Sequence, residues 1–234
     1  YEMASNRNAD VVICDFYYTT QSYEFIVRQN LSDIPSSDEV FRKLLSQNIH
    51  GACWNKLIRR NAIIKYNIKY PPNINLWEDL FFNVNLFKFN VKIVYINKAY
   101  YHYSQDTNPN SLRLVSPYNV KCIKSFIEYV EPQLDSTYSF EIYKLKERYL
   151  DYYYQCYNGK DLLNQYPEIH SQYLTSNNIS IKKTLRSSIY ILIKYKSRIF
   201  SILYFRVCSF VLNFLVYFKH MIIKIFSCKK DNGK

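Results

Sequence analysis

The sequence predicts an α/β domain that is followed by a helical region. Short apolar runs rich in Val and Ile, such as "ADVVICDFYY" (9–18), have the length and composition of buried strands. Such runs alternate with helical patterns up to about residue 115, and only helical patterns follow. We therefore expect an α/β domain over residues 1–115, a helical extension over 116–180 and a basic amphipathic segment over 181–230.

The first elements are placed from local signals. Residues 1–8 have the character of a helix end, and residues 19–37 are typical of a strand or hairpin that leads into a loop. Ser37 is a suitable N-cap for a helix over 38–47, because a serine hydroxyl accepts a hydrogen bond from the first turn.

The other elements of the α/β part follow from the same kinds of signal. Residues 50–68 begin as an extended piece and continue as a helix, and the double proline at 71–72 ends this unit. A further helix is expected from about Leu76 to Phe89, followed by two strands over 90–97 and 98–105.

Two helices are expected beyond the α/β part, over 116–134 and 140–159. Pro117 stands near the start of the first helix and Gly159 at the end of the second. These are the positions that proline and glycine favour in helices.

The composition excludes several classes of site. The chain has three glycines, and no glycine-rich phosphate loop can be written from Gly51, Gly159 and Gly233. Its six cysteines form no CxxC pair, and several lie within apolar runs. Such cysteines behave as small hydrophobic residues in a reducing compartment, so a structural zinc site is not expected.

The net charge of +12 belongs to the C-terminal segment. Eleven of the 31 Lys and Arg residues lie between Lys182 and Lys230, where no acidic residue occurs. The rest of the chain carries 20 basic and 19 acidic residues and is close to neutral. Because the charge is not spread over an aromatic-studded surface, the sequence argues against nucleic-acid binding.

Glu78 and Asp79 stand side by side among apolar residues, in "INLWEDLFFN" (74–83). Two explanations are open. Carboxylates in the first turn of a helix interact favourably with the helix dipole, so the pair could simply begin a helix. Alternatively, one of the carboxylates could act as a general base in a cleft.

The order of four motifs resembles the second half of bacterial family 2 glycosyltransferases. The motifs are "ADVVICDF" (9–16), "WNKLIRRNAIIKYNIKYP" (54–71), "WEDLFFNVNLF" (77–87) and "YINKAYYHY" (95–103), which "NPNSL" follows. The resemblance covers about residues 1–113. It implies an A-type, Rossmann-like nucleotide-sugar-binding fold and a role in the synthesis of capsule, lipopolysaccharide or exopolysaccharide in the bacterial cell envelope.

The resemblance also implies roles for the carboxylate pair. In the family such a pair opens a helix and the second acid is the catalytic base, a role that falls to Asp79 with Glu78 beside it. Trp77 would contact the substrate. The implied reaction is an inverting transfer of a sugar from a nucleotide-sugar donor to a hydroxyl of a glycan or lipid-linked glycan acceptor. The base must lie within hydrogen-bond reach of that hydroxyl.

The family's Trp-Asn-Lys element matches Trp54, Asn55 and Lys56, which would line the substrate cleft. A histidine near the metal often ends the catalytic core, and His102 is the nearest candidate for a metal ligand. The family's Asp-x-Asp metal motif does not occur in the sequence. We therefore expect the chain to begin just after that motif, so that the ligands of a divalent metal, Mg or Mn, lie mostly outside it. The alternative is an inactive fragment that serves only to bind the acceptor or dock on a membrane.

Residues 199–226 separate into two faces on a helical wheel, a polar and basic arc of roughly 140° and a wider apolar arc. This pattern favours a helix in a membrane interface with its cations towards anionic headgroups. It predicts a peripheral or monotopic protein at the cytoplasmic face of the inner membrane. Two alternatives stay open: a transmembrane helix over 199–218, which Arg206 near its middle disfavours, and a helix packed on the catalytic domain.

Overall fold

The computed structural model describes residues 1–104, 116–157 and 161–169. The chain divides into two compact units, Tyr1–Tyr152 and Tyr153–Lys234. The predicted domain boundaries, at residues 115 and 180, and the predicted amphipathic segment over 181–230 lie outside the described residues. None of the described helices combines the length and the apolar character that a membrane span requires.

The first unit contains a four-stranded mixed sheet, formed by β1 (Val11–Thr19), β2 (Glu24–Val27), β3 (Lys56–Ile58) and β4 (Ile93–Ser104). β1 pairs antiparallel with β2 and β3 and parallel with β4. β3 lies beside the first residues of β1 and β2 beside its last ones, so the two short strands share one edge of β1. β4 therefore runs along the other edge.

β4 corrects one prediction. The two strands expected over 90–97 and 98–105 form a single strand, which pairs along the whole length of β1. Its partner residue changes from Ile96 to Ala99 and then to Tyr101 while β1 advances one residue at a time from Cys14. Bulges thus absorb the extra residues of β4 and let the strand continue where the sequence suggested an interruption.

Six α-helices lie in the described residues: α1 (Glu2–Asn6), α2 (Ser37–Leu45), α3 (Arg60–Lys65), α4 (Glu78–Phe87), α5 (Pro117–Val130) and α6 (Ser139–Tyr157). The cap of α2 is Ser36, whose hydroxyl accepts a hydrogen bond from the Glu39 N–H at 3.0 Å. The predicted cap, Ser37, is instead the first helical residue, and its hydroxyl donates to the Val91 carbonyl at 3.0 Å. α5 begins with Pro117 in its first turn, as predicted.

The core of the first unit is built from β1, α2, α4 and α5. Fully buried apolar side chains come from each of them, including Ile13, Leu44, Leu86 and Phe126. Each such side chain contributes roughly 1.5–3 kcal/mol through burial. Seven of the ten residues of α4 are buried, so most of this helix is enclosed by protein. Its two carboxylates both lie in its first turn.

The described part of the second unit is short. It contains the last turn of α6, where the rings of Tyr153 and Tyr157 lie 4.6 Å apart, and a 3-10 turn over Leu162–Asn164. The Leu162 side chain is buried.

Candidate functional site

Glu78 and Asp79 lie at the start of α4. They are the first two residues of the helix, so the helix-start explanation of the pair is confirmed. The residue before them, Trp77, has a left-handed backbone conformation with φ 64°. This conformation is uncommon for a bulky residue and costs about 1 kcal/mol or more. Trp77 is held by an edge-to-face contact with Phe126 of α5, at a ring-centroid distance of 5.5 Å.

The loop that leads to this helix start is fastened to α5. The Tyr118 hydroxyl accepts a hydrogen bond from the Asn75 N–H at 3.2 Å and donates to the Asn73 carbonyl at 3.3 Å. Tyr118 and Phe126 therefore fix the approach of the chain to Glu78. The predicted helical extension thus takes part in positioning the carboxylates.

Asp79 is held by groups that are distant in sequence. Its Oδ2 accepts a hydrogen bond from the Cys53 N–H at 3.1 Å, and its Oδ1 accepts one from the Tyr70 hydroxyl at 3.2 Å. Tyr70 also approaches the Cys53 Sγ at 3.3 Å and stacks on Phe82 at 4.7 Å. Partial burial and the neighbouring Cys53 and Asp79 raise the pKa of Tyr70, so its hydroxyl remains a donor. The Glu78 carboxylate makes no hydrogen bond within the described part of the chain.

A second connection joins α4 to the segment that carries Cys53. The buried Asn83 side chain, one turn after Asp79, donates through Nδ2 to the Gly51 carbonyl at 2.8 Å and the Asp79 carbonyl at 2.9 Å. The segment packs closely, since a Cβ added to Gly51 would lie 3.1 Å from Leu80 Cδ1. These contacts keep the Cys53 N–H directed at the Asp79 carboxylate.

Asn55 and Lys56 face into the protein. The Lys56 ammonium donates to the carbonyls of His50 at 2.9 Å and Ala52 at 2.6 Å, and to Asn55 Oδ1 at 2.9 Å. The buried Asn55 amide donates to the Cys14 carbonyl of β1 at 3.2 Å. Burial lowers the pKa of Lys56 to about 8. The two side chains thus close the 50–56 loop and attach it to the sheet, and their role as substrate contacts stays a prediction.

His50 supports the same loop. Its Nδ1 accepts a hydrogen bond from the Ala52 N–H at 3.2 Å, and its ring makes contacts with Phe16 at 5.1 Å and Trp54 at 4.8 Å. Burial lowers the pKa of His50 to about 4, so the ring is neutral at pH 7. A neutral ring keeps Nδ1 available as an acceptor.

Trp54 lies at the edge of an aromatic surface next to this loop. Its half-buried indole stacks on Tyr101 at 4.4 Å and on Tyr103 at 4.9 Å, both from β4. Tyr101 remains 39% exposed. Since Trp54 directly follows Cys53, the aromatic surface begins one residue from the group that holds Asp79.

His102 lies on the opposite face of β4 from Tyr101 and Tyr103, because successive side chains of a strand alternate. It stacks on Tyr17 at 4.4 Å, and its Nδ1 lies 2.9 Å from Glu24 Oε2. Within the described ranges, no group of three or more His, Cys, Asp or Glu residues could hold a metal ion. These residues therefore do not form a complete metal site, and His102 as a ligand stays a prediction.

Three side chains and a glycine around Asp79 were not singled out from the sequence for this site. Tyr70 directly precedes two prolines, a position that indicates the end of an element and gives no sign of a contact with Asp79. Gly51 and His50 had the pattern of a turn, and Asn83 lies in an apolar helix. Asn83 is the one with a usable signal, because a polar residue four positions after a carboxylate shares its helix face.

Comparisons with known proteins indicate the class of protein to which the chain is similar. No protein-family model matches the chain. The chain is 29% identical over 114 residues to a cholesterol galactosyltransferase of Borreliella burgdorferi. The matched region covers 43% of this chain and 31% of the relative. It thus spans about a third of the length of that relative. A structural similarity, to the crystal structure of S. aureus TarS 1-349, has a TM-score of 0.41 at 11% identity and covers 82% of this chain and 48% of the other.

The sequence similarity is therefore to a glycosyltransferase, and it supports the class of sugar transferases without specifying family 2. The described architecture, a mixed sheet with helices, is the α/β arrangement expected from the sequence.

Proposed function

We propose that the chain forms the acceptor side of a family 2 glycosyltransferase. The enzyme would transfer a sugar, with inversion, from a nucleotide-sugar donor to a hydroxyl of a glycan or lipid-linked glycan. The observation that carries this proposal is the position of Asp79. Its carboxylate stands at the start of a buried helix and is fixed on one oxygen by the Cys53 N–H at 3.1 Å. The residue after Cys53, Trp54, begins the aromatic surface.

In the proposed reaction the acceptor hydroxyl donates a hydrogen bond to Asp79 Oδ1. As the hydroxyl oxygen bonds to the anomeric carbon, its proton passes to the carboxylate. The bond from that carbon to the diphosphate breaks on the opposite side, and its electron pair leaves with the nucleotide. The Cys53 N–H restrains Oδ2 and so limits rotation of the carboxylate away from the acceptor.

A divalent metal, Mg or Mn, remains part of the proposal for the donor side. The described residues do not supply a complete set of ligands, and no step described above depends on the ion.

The aromatic surface offers a place for the acceptor. The exposed ring of Tyr101 and the indole of Trp54 present flat apolar faces, while the tyrosine hydroxyls can form hydrogen bonds. A sugar ring has both apolar C–H faces and hydroxyls, so it matches this surface. A second candidate acceptor is the hydroxyl of a sterol or other membrane lipid. The name of the Borreliella relative and the flat apolar faces favour it.

We further propose that the protein works at the cytoplasmic face of the inner membrane. Residues 181–230, with their basic residues and apolar face, would bind an anionic membrane surface. This location would bring the site to lipid-linked acceptors.

The proposal is tested with the complete gene product, a panel of UDP-sugars, and glycan and sterol acceptors. Asp79→Asn removes the base while preserving the shape of the side chain, and it should reduce transfer about 10²- to 10⁴-fold. Binding of the UDP-sugar, measured by calorimetry, should be retained. The comparison variant is Glu78→Gln at the neighbouring position. A larger loss in Glu78→Gln than in Asp79→Asn would show that the base had been assigned to the wrong acid.

A further inference from the structure

Tyr70 is the exposed member of the group around Asp79. The residue as a whole is 50% exposed, and its hydroxyl donates to Asp79 Oδ1 at 3.2 Å. The other two residues of the group contribute interior groups. The Cys53 backbone N–H donates to Asp79 Oδ2, and the buried Asn83 amide donates to Cys53 Sγ. Tyr70 is thus the partner of Asp79 Oδ1 whose place a hydroxyl from solvent would take.

The hydrogen bonds of the Tyr70 hydroxyl are weak. Its single proton is shared between Asp79 Oδ1 at 3.2 Å and Cys53 Sγ at 3.3 Å. A hydroxyl that binds a carboxylate tightly lies at about 2.5–2.7 Å. Tyr70 thus contacts the carboxylate without the short, strong bond that this pair of groups can form.

Removal of the Tyr70 hydroxyl leaves the Asp79 carboxylate and the Cys53 thiol each with one donor, and it frees Asp79 Oδ1, which has no other donor in the described part of the chain. Asp79 keeps the Cys53 N–H on Oδ2, and Cys53 Sγ keeps the Asn83 amide at 3.3 Å. No buried polar group loses its last partner, which is the expensive event in breaking a hydrogen bond. The Tyr70 ring rests on Phe82 at 4.7 Å, a contact that does not involve the hydroxyl. Displacement of the hydroxyl is therefore inexpensive.

We propose that the Tyr70 hydroxyl occupies the position on Asp79 that the acceptor hydroxyl takes, and keeps water from this position until an acceptor displaces it. This inference rests on the proposed function, because it requires Asp79 to be the base. The phenol and the acceptor are the same kind of donor, a hydroxyl directed at a carboxylate oxygen. Burial raises the pKa of the phenol, so it keeps its proton and does not compete as a nucleophile.

Loss of the Tyr70 hydroxyl would allow hydrolysis of the donor. Without the Tyr70 hydroxyl, a water molecule can donate to Oδ1 and take the place of the acceptor. Its oxygen then bonds to the anomeric carbon, the bond to the diphosphate breaks, and the proton passes to Asp79. The products are the free sugar and the nucleoside diphosphate. Exclusion of water from an active site is a recognised means of preventing this side reaction.

The experiment measures release of UDP in the absence of acceptor, with the complete gene product and with UDP-glucose, UDP-galactose and UDP-N-acetylglucosamine as probes. Tyr70→Phe keeps the ring on Phe82 and removes only the hydroxyl. Tyr66→Phe is the matched control, since Tyr66 stacks on Phe89 at 4.1 Å in the same manner. We expect Tyr70→Phe to hydrolyse the donor about two- to fivefold faster than the unchanged protein, because an ordinary hydrogen bond is worth about fivefold and this long one is worth less. Tyr66→Phe should not differ.

The double variant Tyr70→Phe/Asp79→Asn identifies the base. If water uses Asp79, the double variant hydrolyses the donor no faster than Asp79→Asn alone. A raised rate that persists in the double variant would overturn the inference, and so would a rate in Tyr70→Phe that equals or falls below that of the unchanged protein. In both cases, loss of transfer in Asp79→Asn would leave the proposed function standing. If Asp79→Asn retained transfer, the proposed function and this inference would both be wrong.

Discussion

The starts of α2 and α4 have similar sequences and different surroundings. Both helices carry two adjacent carboxylates in the first turn, Asp38 and Glu39 in α2 and Glu78 and Asp79 in α4. In α2 the acids pair with cations one turn later, Asp38 with Arg42 at 2.9 Å and Glu39 with Lys43 at 3.0 Å. In the described part of the chain, neither carboxylate of α4 forms an ion pair.

The difference begins in the sequence. The positions four residues after Glu78 and Asp79 hold Phe82 and Asn83, where α2 has an arginine and a lysine. Ion pairs between positions i and i+4 satisfy carboxylates locally. Asp79 instead takes its donors from Cys53, 26 residues away, and from Tyr70. Asp38 thus has a cation one turn later in its own helix, in addition to a hydrogen bond from the Tyr138 hydroxyl at 2.7 Å. Asp79 has no such cation in the described part of the chain and takes both of its donors from separate segments.

The largest effect on stability that we predict is a loss at acidic pH in the loop that holds Asp79, while the start of α2 stays intact. Folding keeps His50 neutral, with a pKa of about 4 against an ordinary value of 6.5. The unfolded chain therefore binds a proton more readily, and stability falls as the pH is lowered from 6.5 to 4, by at most about 3 kcal/mol. The start of α2 should persist, because the Tyr138 hydroxyl and Arg42 hold the pKa of Asp38 below its usual range.

Chemical denaturation across this pH range measures the effect. His50→Asn should flatten the fall in the free energy of unfolding, while His102→Asn, a change at an exposed histidine, should not. An equally steep fall in His50→Asn would show that the loop beside α4 does not depend on a neutral ring.

Gly51→Ala should disturb only the start of α4. The added Cβ would lie 3.1 Å from Leu80 Cδ1, so the 51–53 segment must move away from the helix. We expect a loss of about 1–3 kcal/mol in stability, typical of overpacking, together with reduced transfer because the Cys53 N–H shifts from Asp79. Thermal unfolding and an assay of sugar transfer measure the two effects. Full transfer activity with reduced stability would show that the packing of Gly51 against Leu80 does not affect the position of the Cys53 N–H.

Ser36→Ala is the corresponding change at α2 and should have the smallest effect. It removes the hydroxyl that accepts from the Glu39 N–H at 3.0 Å and should cost about 1 kcal/mol of stability. Sugar transfer per folded molecule should be unchanged, since the acids of this helix start pair with Arg42 and Lys43 and take no part in the proposed reaction. A fall in transfer beyond the loss of folded protein would show that α2 also supports the site.

The parts of the fold that depend on local pattern were predictable. The Val- and Ile-rich run became β1, and the carboxylate pair began α4, because periodicity and helix-end chemistry act over a few residues. The donors to Asp79 were not predictable in this way. A backbone N–H has no sequence signal, and Tyr70 reaches the carboxylate only through tertiary packing on Phe82.

Asn55 and Lys56 show a second limit. The Trp-Asn-Lys element implies a substrate contact for Lys56, and this role stays a prediction. The three oxygens that its ammonium meets within its own loop had no signal in the sequence. Burial of a cation is favourable only when such acceptors converge on it, and this convergence depends on loop geometry. The faces of β4 were predictable in principle, because alternation separates His102 from Tyr101 and Tyr103.

Asp79 and Asp38 occupy equivalent helix positions, and we assign them different roles. Transfer rates and unfolding free energies of Asp79→Asn and Asp38→Asn, measured side by side, test this assignment most directly. We predict that Asp79→Asn loses transfer by about 10²- to 10⁴-fold, whereas Asp38→Asn keeps its activity and loses stability through its pairing with Arg42. Equal transfer rates in the two variants would contradict the account.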